Sequence, residues 1–413
     1  MKTTIDVCKL DFPPVSYGDS LAQIEKTVQQ VIETIFRDQS GLIISGVNGL
    51  TMKPLRPEDV PDRQLGIGGW WENACMPREY KNLAMNFENC HQCSGKYLDG
   101  LVDKYAVTRD EKVLGYAKKI VHTTHQLWET AAKTHRYGKG WLPKPYAGMN
   151  LIPEMCETSV DQYSDITFGL EKYYNELADR QERAFLAEML LSFADWWLDH
   201  NYTTSFMGTT VWWDRVHTLA QSYFLYLFQL AYSLAPRKKY LDGFDYIFSR
   251  AEKELVTREG AYNGENFNPN TSGIVIEAMS RIAKINPSLK VFCHNCIQAY
   301  IPAMIEAGNR GAAGNDLDPI FNLRLFTAKY LSHAHEFCKD DALVKYMIEY
   351  ISTIKSRSDF YHVKRGLSFD DGVLERMHVD KSDYRDVFWV EEQCCWLTTY
   401  WYLRRSNKIT PNQ

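Results

Sequence analysis

The sequence predicts an all-α chain folded as a closed ring of six helical hairpins. Three observations predict it. Apolar residues recur at three- and four-residue intervals in twelve successive segments. Several joints between them are short, as at 175–179 and 235–237, and short joints force neighbouring helices antiparallel. Other joints, at 137–161, 201–213, 258–269 and 357–385, are long and rich in Gly, Trp and acidic residues, which suggests loops gathered on one rim.

The chain has 413 residues. Single cores usually stop growing near about 250–300 residues, so two domains would be the default. A large closed ring escapes that limit, and one domain over 1–413 is expected. Apolar residues, at 45%, suffice for a packed core, and 24% charged residues argue against disorder. A net charge of -5 gives no global attraction to nucleic acid or to an anionic membrane, and neither partner is expected. The longest uncharged helical run, Val216 to Ala235, carries Gln221, Ser222, Gln229 and Ser233. Those residues suit a buried inner helix better than a membrane span. The first twenty residues lack an apolar leader core, so the expected location is cytoplasmic, with the 10 cysteines reduced.

Residues 1–19 read as an extended arm, with Pro13 and Pro14 together. Ser20 can cap a helix whose stripe is Leu21, Ile24, Val28, Val31 and Ile35, and Gln23 completes a capping box. Residues 40–77 are irregular, broken by Gly41, Gly46, Gly49, Pro54, Pro57, Pro61, Gly66, Gly68 and Gly69. A compact protein keeps so long a loop for a use such as lining a site. Helices follow at 79–104, 109–136, 162–178, 180–200, 214–234, 237–257, 270–285, 294–308, 317–337, 340–356 and 386–404. The 180–200 segment shows the signal, with Leu186, Met189, Leu190, Phe193, Trp196, Trp197 and His200 on one face and Asp179 as cap. There is no fixed-period repeat, which favours a closed ring over an open superhelix. Strand alternation is absent apart from room for short hairpins in the long loops, as around 357–375.

The aromatic content, Trp 11, Tyr 25 and Phe 19, fits a large helical core or a sugar-binding cleft, where rings cover the apolar faces of pyranoses. No phosphate loop or dinucleotide fingerprint is present. Gly66-Ile67-Gly68-Gly69 lacks the helix that must follow, and Arg237-Lys238-Lys239 reads as a solvated face. Cys90-His91-Gln92-Cys93 and Cys293-His294-Asn295-Cys296 have zinc-like spacing. They lie far apart in helical patterns, where small buried thiols are the commoner reading. No metal and no cofactor are expected.

The stretch Glu157-Thr158-Ser159-Val160-Asp161-Gln162-Tyr163 leads into an aromatic helix with Phe168-Gly169-Leu170, Tyr173 and Tyr174. It resembles a segment of the six-hairpin, (α/α)6-toroid carbohydrate enzymes. Gly69-Trp70-Trp71-Glu72-Asn73, ahead of a hairpin helix, is similar in style. The resemblance implies an (α/α)6 toroid of about twelve helices with long rim loops. It also implies a superfamily of glycoside hydrolases, unsaturated uronyl hydrolases, polysaccharide lyases and sugar epimerases, without singling out one. Asp161 is the position whose context fits an acidic residue at the cavity rim.

Glycoside hydrolysis needs two carboxyl groups across a cleft, one to protonate the leaving oxygen and one to attack or to activate water. Acids beside aromatics or in loops are Glu72, Asp161, Asp214, Glu265, Asp370, Asp371, Glu391 and Glu392. Asp214 also fits a helix cap, Asp370 and Asp371 a turn before Gly372, and Glu391 and Glu392 first-turn acids of the last helix. Asp161 as acid and Glu72 as base or orienter form the expected catalytic pair. Trp70, Trp71, Trp212, Trp213 and Tyr262 would supply stacking surface, with Gln162, Tyr163, His217 and His294 as polar contacts. The expected activity is hydrolysis of an oligosaccharide, uronic-acid-containing chains included, and the expected partner is that carbohydrate. A lyase or epimerase would instead draw on His91, Tyr163, His217, Tyr262, Asn263, His294, Asn295, His378 and Arg385. Each lone histidine is more often structural than catalytic. A non-catalytic helical carbohydrate-binding or scaffold protein is the third reading. Monomer and homo-oligomer are equally compatible with the sequence.

Overall fold

The computed structural model describes residues 3–4, 20–48, 51–57, 81–134, 138–149, 157–206, 209–215, 218–257, 269–310, 323–352, 362–365 and 386–411. In chain order the helices are α1 (Leu21–Val31, prolonged by a π turn at Ile32–Phe36), α2 (Lys81–Phe87), α3 (Cys90–Thr108), α4 (Glu111–Thr134), α5 (Val160–Glu176) and α6 (Arg180–Asp199). They continue as α7 (Thr218–Leu234), α8 (Lys238–Leu255), α9 (Pro269–Ile285), α10 (Lys290–Arg310), α11 (Leu323–Cys338), α12 (Ala342–Ser352) and α13 (Glu391–Arg405). Apart from the short α2, they alternate between two layers. Helices α3, α5, α7, α9, α11 and α13 form the inner layer. Each packs on the next, and α13 packs back on α3, which closes the ring. Helices α1, α4, α6, α8, α10 and α12 form the outer layer.

The two layers differ in pattern for a physical reason. On α8 the buried residues are Tyr240, Gly243, Phe244, Ile247, Ala251 and Leu255, a single stripe. On α7 every residue from Thr218 to Ala231 is buried, because an inner helix touches protein on all sides. The caps read from sequence form. Ser20 N–H donates to Gln23 Oε1 at 2.7 Å, and Gln23 N–H donates to Ser20 Oγ at 3.3 Å. Asp179 and Glu182 make the same box at α6. No helix among the described residues is long and apolar enough to cross a membrane.

Two glycines set the spacing on either side of α3. A Cβ on Gly95 would lie 2.1 Å from the Asp165 carbonyl oxygen, so α3 and α5 meet backbone to backbone. A Cβ on Gly100 would lie 3.1 Å from the Thr398 nitrogen, so α13 approaches α3 almost as closely.

The strands are short: β1 (Thr3–Thr4), β2 (Gly46–Asn48), β3 (Lys53–Pro54), β4 (Tyr146–Met149), β5 (Thr203–Phe206), β6 (Thr209–Trp212), β7 (His362–Arg365) and β8 (Asp386–Trp389). An antiparallel sheet runs β1-β7-β8-β2-β3, and β5 and β6 form a hairpin. They gather where the inner helices begin. β8 leads into α13, β4 precedes α5, and the β5–β6 hairpin bridges Glu157 through Ser205. Four boundaries differ from the sequence reading. The 79–104 segment breaks at Glu88–Asn89. Residues 386–389 pair as a strand with β2, which their β-prone Val387, Phe388 and Trp389 permit. A 3-10 turn, Trp213–Arg215, precedes α7. The 294–308 helix begins earlier, at Lys290. Residues 49–50 and 58–77 of the long loop and most of the 1–19 arm lie outside the described residues.

The ring axis is filled by charge. Lys329 Nζ reaches Glu277 at 2.6 Å and Asp165 at 3.2 Å. Arg281 reaches Glu277 at 2.8 Å, Asp99 at 3.2 Å, and Glu171. Lys172 binds Asp103 at 2.8 Å and also Asp99. Arg405 closes the column against Asp103 at 2.7 Å and Glu176 at 2.8 Å. The C-terminal halves of α3, α5 and α13 therefore meet at one end, as parallel inner helices must. Burial favours the neutral acid at Glu277, but His333, Lys329 and Arg281 outweigh it and hold the group well below the usual carboxylate range. Asp99, Glu277 and His333 bring ligand-type atoms within 4.8 Å of one another, the one such grouping among the described residues. Its carboxylates are already taken by Arg281 and Lys329.

Candidate functional site

The opposite end, where the inner helices begin, is the mouth of the ring. Asp161 stands in the first turn of α5 and is partly exposed. Three donors converge on it: the Gln162 backbone N–H at 3.0 Å, the Ser159 hydroxyl, and the Gln92 side-chain amide from the first turn of α3. The orientation of Gln92 is itself fixed. Its oxygen accepts from Lys96 Nζ at 3.1 Å and from Asn270 Nδ2 at 3.2 Å, so its NH2 group must face Asp161.

Beneath Asp161 lies a buried polar floor. Lys96 donates to Asn270 Oδ1 at 3.0 Å and Glu391 Oε1 at 2.5 Å, and pairs with Asp165 at 2.8 Å. Burial works against its charge, but Asp165 and Glu391 overcome that and keep it an ammonium. Glu391 also accepts from Asn89 at 3.0 Å and Asn270 at 3.1 Å. For Glu391 burial wins over Lys96, with Asp165 and Asp161 adding to it, so its carboxyl holds its proton above the usual range.

A second cluster adjoins the first. Lys144 donates to Glu88 at 2.6 Å and to Glu157 at 2.9 Å. The Tyr146 hydroxyl lies 2.6 Å from Glu88 and 3.3 Å from Glu157. Burial raises the Glu88 proton affinity, Lys144 opposes it, and the charge of Glu157 adds to it. Glu88 nevertheless keeps 20% of its side chain exposed, against 3% for Glu157. His91 anchors this wall. Burial lowers its pKa to about 4, so the neutral ring must donate to the Pro143 carbonyl at 2.8 Å.

The residues singled out from sequence are scattered. Gln162 is buried beside Asp161, and its amide donates to Asn89 at 3.2 Å. Tyr163 is fully buried; its hydroxyl donates to the Gly140 carbonyl at 2.9 Å and accepts the Leu142 N–H at 2.6 Å, clamping the lead-in loop. Trp213 is buried with its indole N–H on Thr204 at 2.7 Å, while Trp212 of the same hairpin is 47% exposed. His294 stands exposed on outer α10 beside Phe337 and Cys338, at the C-terminal end of α11 and so away from the mouth. Glu72, Trp70, Trp71, His217 and Tyr262 lie outside the described residues. Asp214 lies in the 3-10 turn and accepts from the Tyr246 hydroxyl at 2.9 Å. Of the cysteine pairs, one is on inner α3 and one on outer α10, and burial pushes all four thiols up, away from the thiolate a metal needs.

Sequence reasoning missed Glu88, Gln92, Lys96, Lys144 and Asn270. One signal was present. Lys96 interrupts a segment that otherwise buries Cys93, Tyr97 and Leu101, and a lysine amid such neighbours needs a paired charge.

No protein-family profile and no curated protein sequence matches the chain. Solved structures do match over nearly its whole length. A family 76 glycoside hydrolase from a bovine Bacteroides thetaiotaomicron strain superposes with TM-score 0.55 at 10% identity, covering 95% of this chain and 79% of that one. The chain has the (α/α)6-toroid fold. The GH76A alpha-1,6-mannanase of Salegentibacter sp. HEL1_6 matches with TM-score 0.50 and 11% identity over 93% and 98% of the two chains. A Salmonella enterica protein, named as a possible member of family GH105, matches with TM-score 0.50 and 11% identity over 99% and 100%. These likenesses bear on the fold alone.

Proposed function

We propose that this toroid is an enzyme that hydrolyses a glycosidic bond in an oligosaccharide, with Asp161 as the carboxylate that activates water. The carrying observation is Asp161 itself, a partly exposed carboxylate in the first turn of an inner helix, with three donors aimed at it. Such a group is set up as an acceptor, the role of a base. The acid must keep its proton, and Glu88 is both raised in that direction and partly exposed. This reverses the role first given to Asp161. Glu391, nearly sealed from solvent, serves as floor and positioning group through Asn89 and Asn270. Glu72, from the long loop, remains the competing partner.

The test is turnover on a panel of oligosaccharides. It begins with alpha-1,6-linked mannosides, the class named for the Salegentibacter enzyme, and includes neutral and uronic-acid chains. Asp161→Asn is expected to lower kcat by about 10²–10⁴-fold with an unchanged circular dichroism spectrum. Glu88→Gln should do the same and remove the alkaline limb of the kcat/KM profile, which should lie above the ordinary glutamate value of about 4.3. Full turnover by Asp161→Asn on a cleaved substrate refutes the assignment. Loss of activity in Glu72→Gln but not in Glu88→Gln transfers the acid role to Glu72.

A further inference from the structure

The charge balance at the mouth bears on which sugars the site takes, and so rests on the carbohydrate reading above. Among the described residues five carboxyl groups meet there: Glu88, Glu157, Asp161, Asp165 and Glu391. Three ammonium groups face them, and all are already shared, Lys96 between Asp165 and Glu391, Lys144 between Glu88 and Glu157, and Lys329 between Asp165 and the axial Glu277. Even with protons on Glu88 and Glu391, the other three carboxylates match all three ammoniums, and Lys329 is claimed by Glu277 as well, so no positive charge is left over. Arg324, at the start of α11, is on the opposite helix face from Phe326, Lys329 and His333, near Tyr350 of outer α12. The helix N-termini add partial positive charge, but Asp161 and Glu391 sit in the first turns of α5 and α13 and take it up.

Hydrogen-bond polarity points the same way independently. Glu157 Oε2 and Gln162 Oε1, in residues only 3% and 1% exposed, accept nothing from the described protein. Buried acceptors call for donors. A sugar hydroxyl donates, whereas a carboxylate can only accept.

We infer that the mouth selects uncharged, hydroxyl-donating sugar units and rejects uronic acids. A uronate carboxylate would lose water beside five carboxyl groups, where Lys96, Lys144 and Lys329 each already hold two carboxylates and Arg324 is turned to the other helix face. A neutral hexose adds a donor at C6, where a uronate presents only acceptors.

The experiment compares matched trisaccharides that differ only in oxidation at C6. The pairs are α-1,4-galactotriose with tri-galacturonate, cellotriose with β-1,4-tri-glucuronate, and β-1,4-mannotriose with tri-mannuronate. Binding to the full chain is read by saturation-transfer NMR and titration calorimetry, at low and high salt. In at least one pair the neutral member should bind about tenfold or more tightly than its uronate, with the gap narrowing as salt screens the repulsion. A uronate that binds as tightly as its neutral partner, or more tightly, overturns the inference and leaves the hydrolase reading standing. Silence from every pair and from the whole substrate panel removes the carbohydrate reading, and this inference with it.

Discussion

The axis and the mouth of the ring are built from the same residue types and differ in how completely they are satisfied. Along the axis, Lys329 and Arg281 each bind at least two carboxylates, and Glu277 receives both cations. At the mouth, among the described residues, five carboxyls face three ammoniums, and the buried Glu157 Oε2 and Gln162 Oε1 accept nothing from the described protein. A buried charge network that balances itself holds a fold together; one left short of donors is prepared for something from outside. The difference also appears in proton affinity. Glu277 is held below the usual carboxylate range by the cations around it, whereas burial lifts Glu88 and Glu391 above it.

The largest effect should come from breaking the axis. Lys329→Met leaves Asp165 and Glu277 each short of a cation, and should destabilise the fold by about 3–5 kcal/mol in urea unfolding. A loss below about 1 kcal/mol would mean that the axis is not balanced in the way described. Acid titration sharpens the contrast. The folded state holds the Glu277 proton more weakly than the unfolded chain does. Its contribution is therefore complete above the unfolded value of about 4.3 and is lost as pH falls through the lower folded value. Glu277→Gln should lower stability at neutral pH and make the remainder less sensitive to acid. An unaltered pH slope between about pH 5 and 2 would contradict this. The smallest effect belongs to the mouth. Glu88 has a raised folded value, so its contribution is present at low pH and fades as pH rises through that value. Glu88→Gln should leave neutral-pH stability unchanged or raise it by about 1 kcal/mol, while turnover falls. A drop of more than about 2 kcal/mol would move Glu88 into the structural set.

The helices were legible where burial is written locally, as a single stripe on outer α8 or as a nearly continuous apolar run on inner α7. Ser20 with Gln23, and Asp179, could be read as caps because capping is local, and Glu182 completes the second box. The mouth was legible only at Asp161, where a helix start coincides with a loop end. Gln92 lay inside a cysteine motif that suggested metal instead. Lys96 and Glu391 are 295 residues apart, and no local pattern reports that they touch. Asp386–Trp389 became a strand because β2 lies beside it, a neighbour that periodicity cannot see.

Gly100 carries a consequence for synthesis. It lets α3 receive α13, and through that contact Lys96 receives Glu391. A ribosome adding about 5–20 residues per second needs roughly 15–60 s to span that separation. For that interval the nascent chain is an open arc, with the α3 flank that α13 will cover exposed to water and to chaperones.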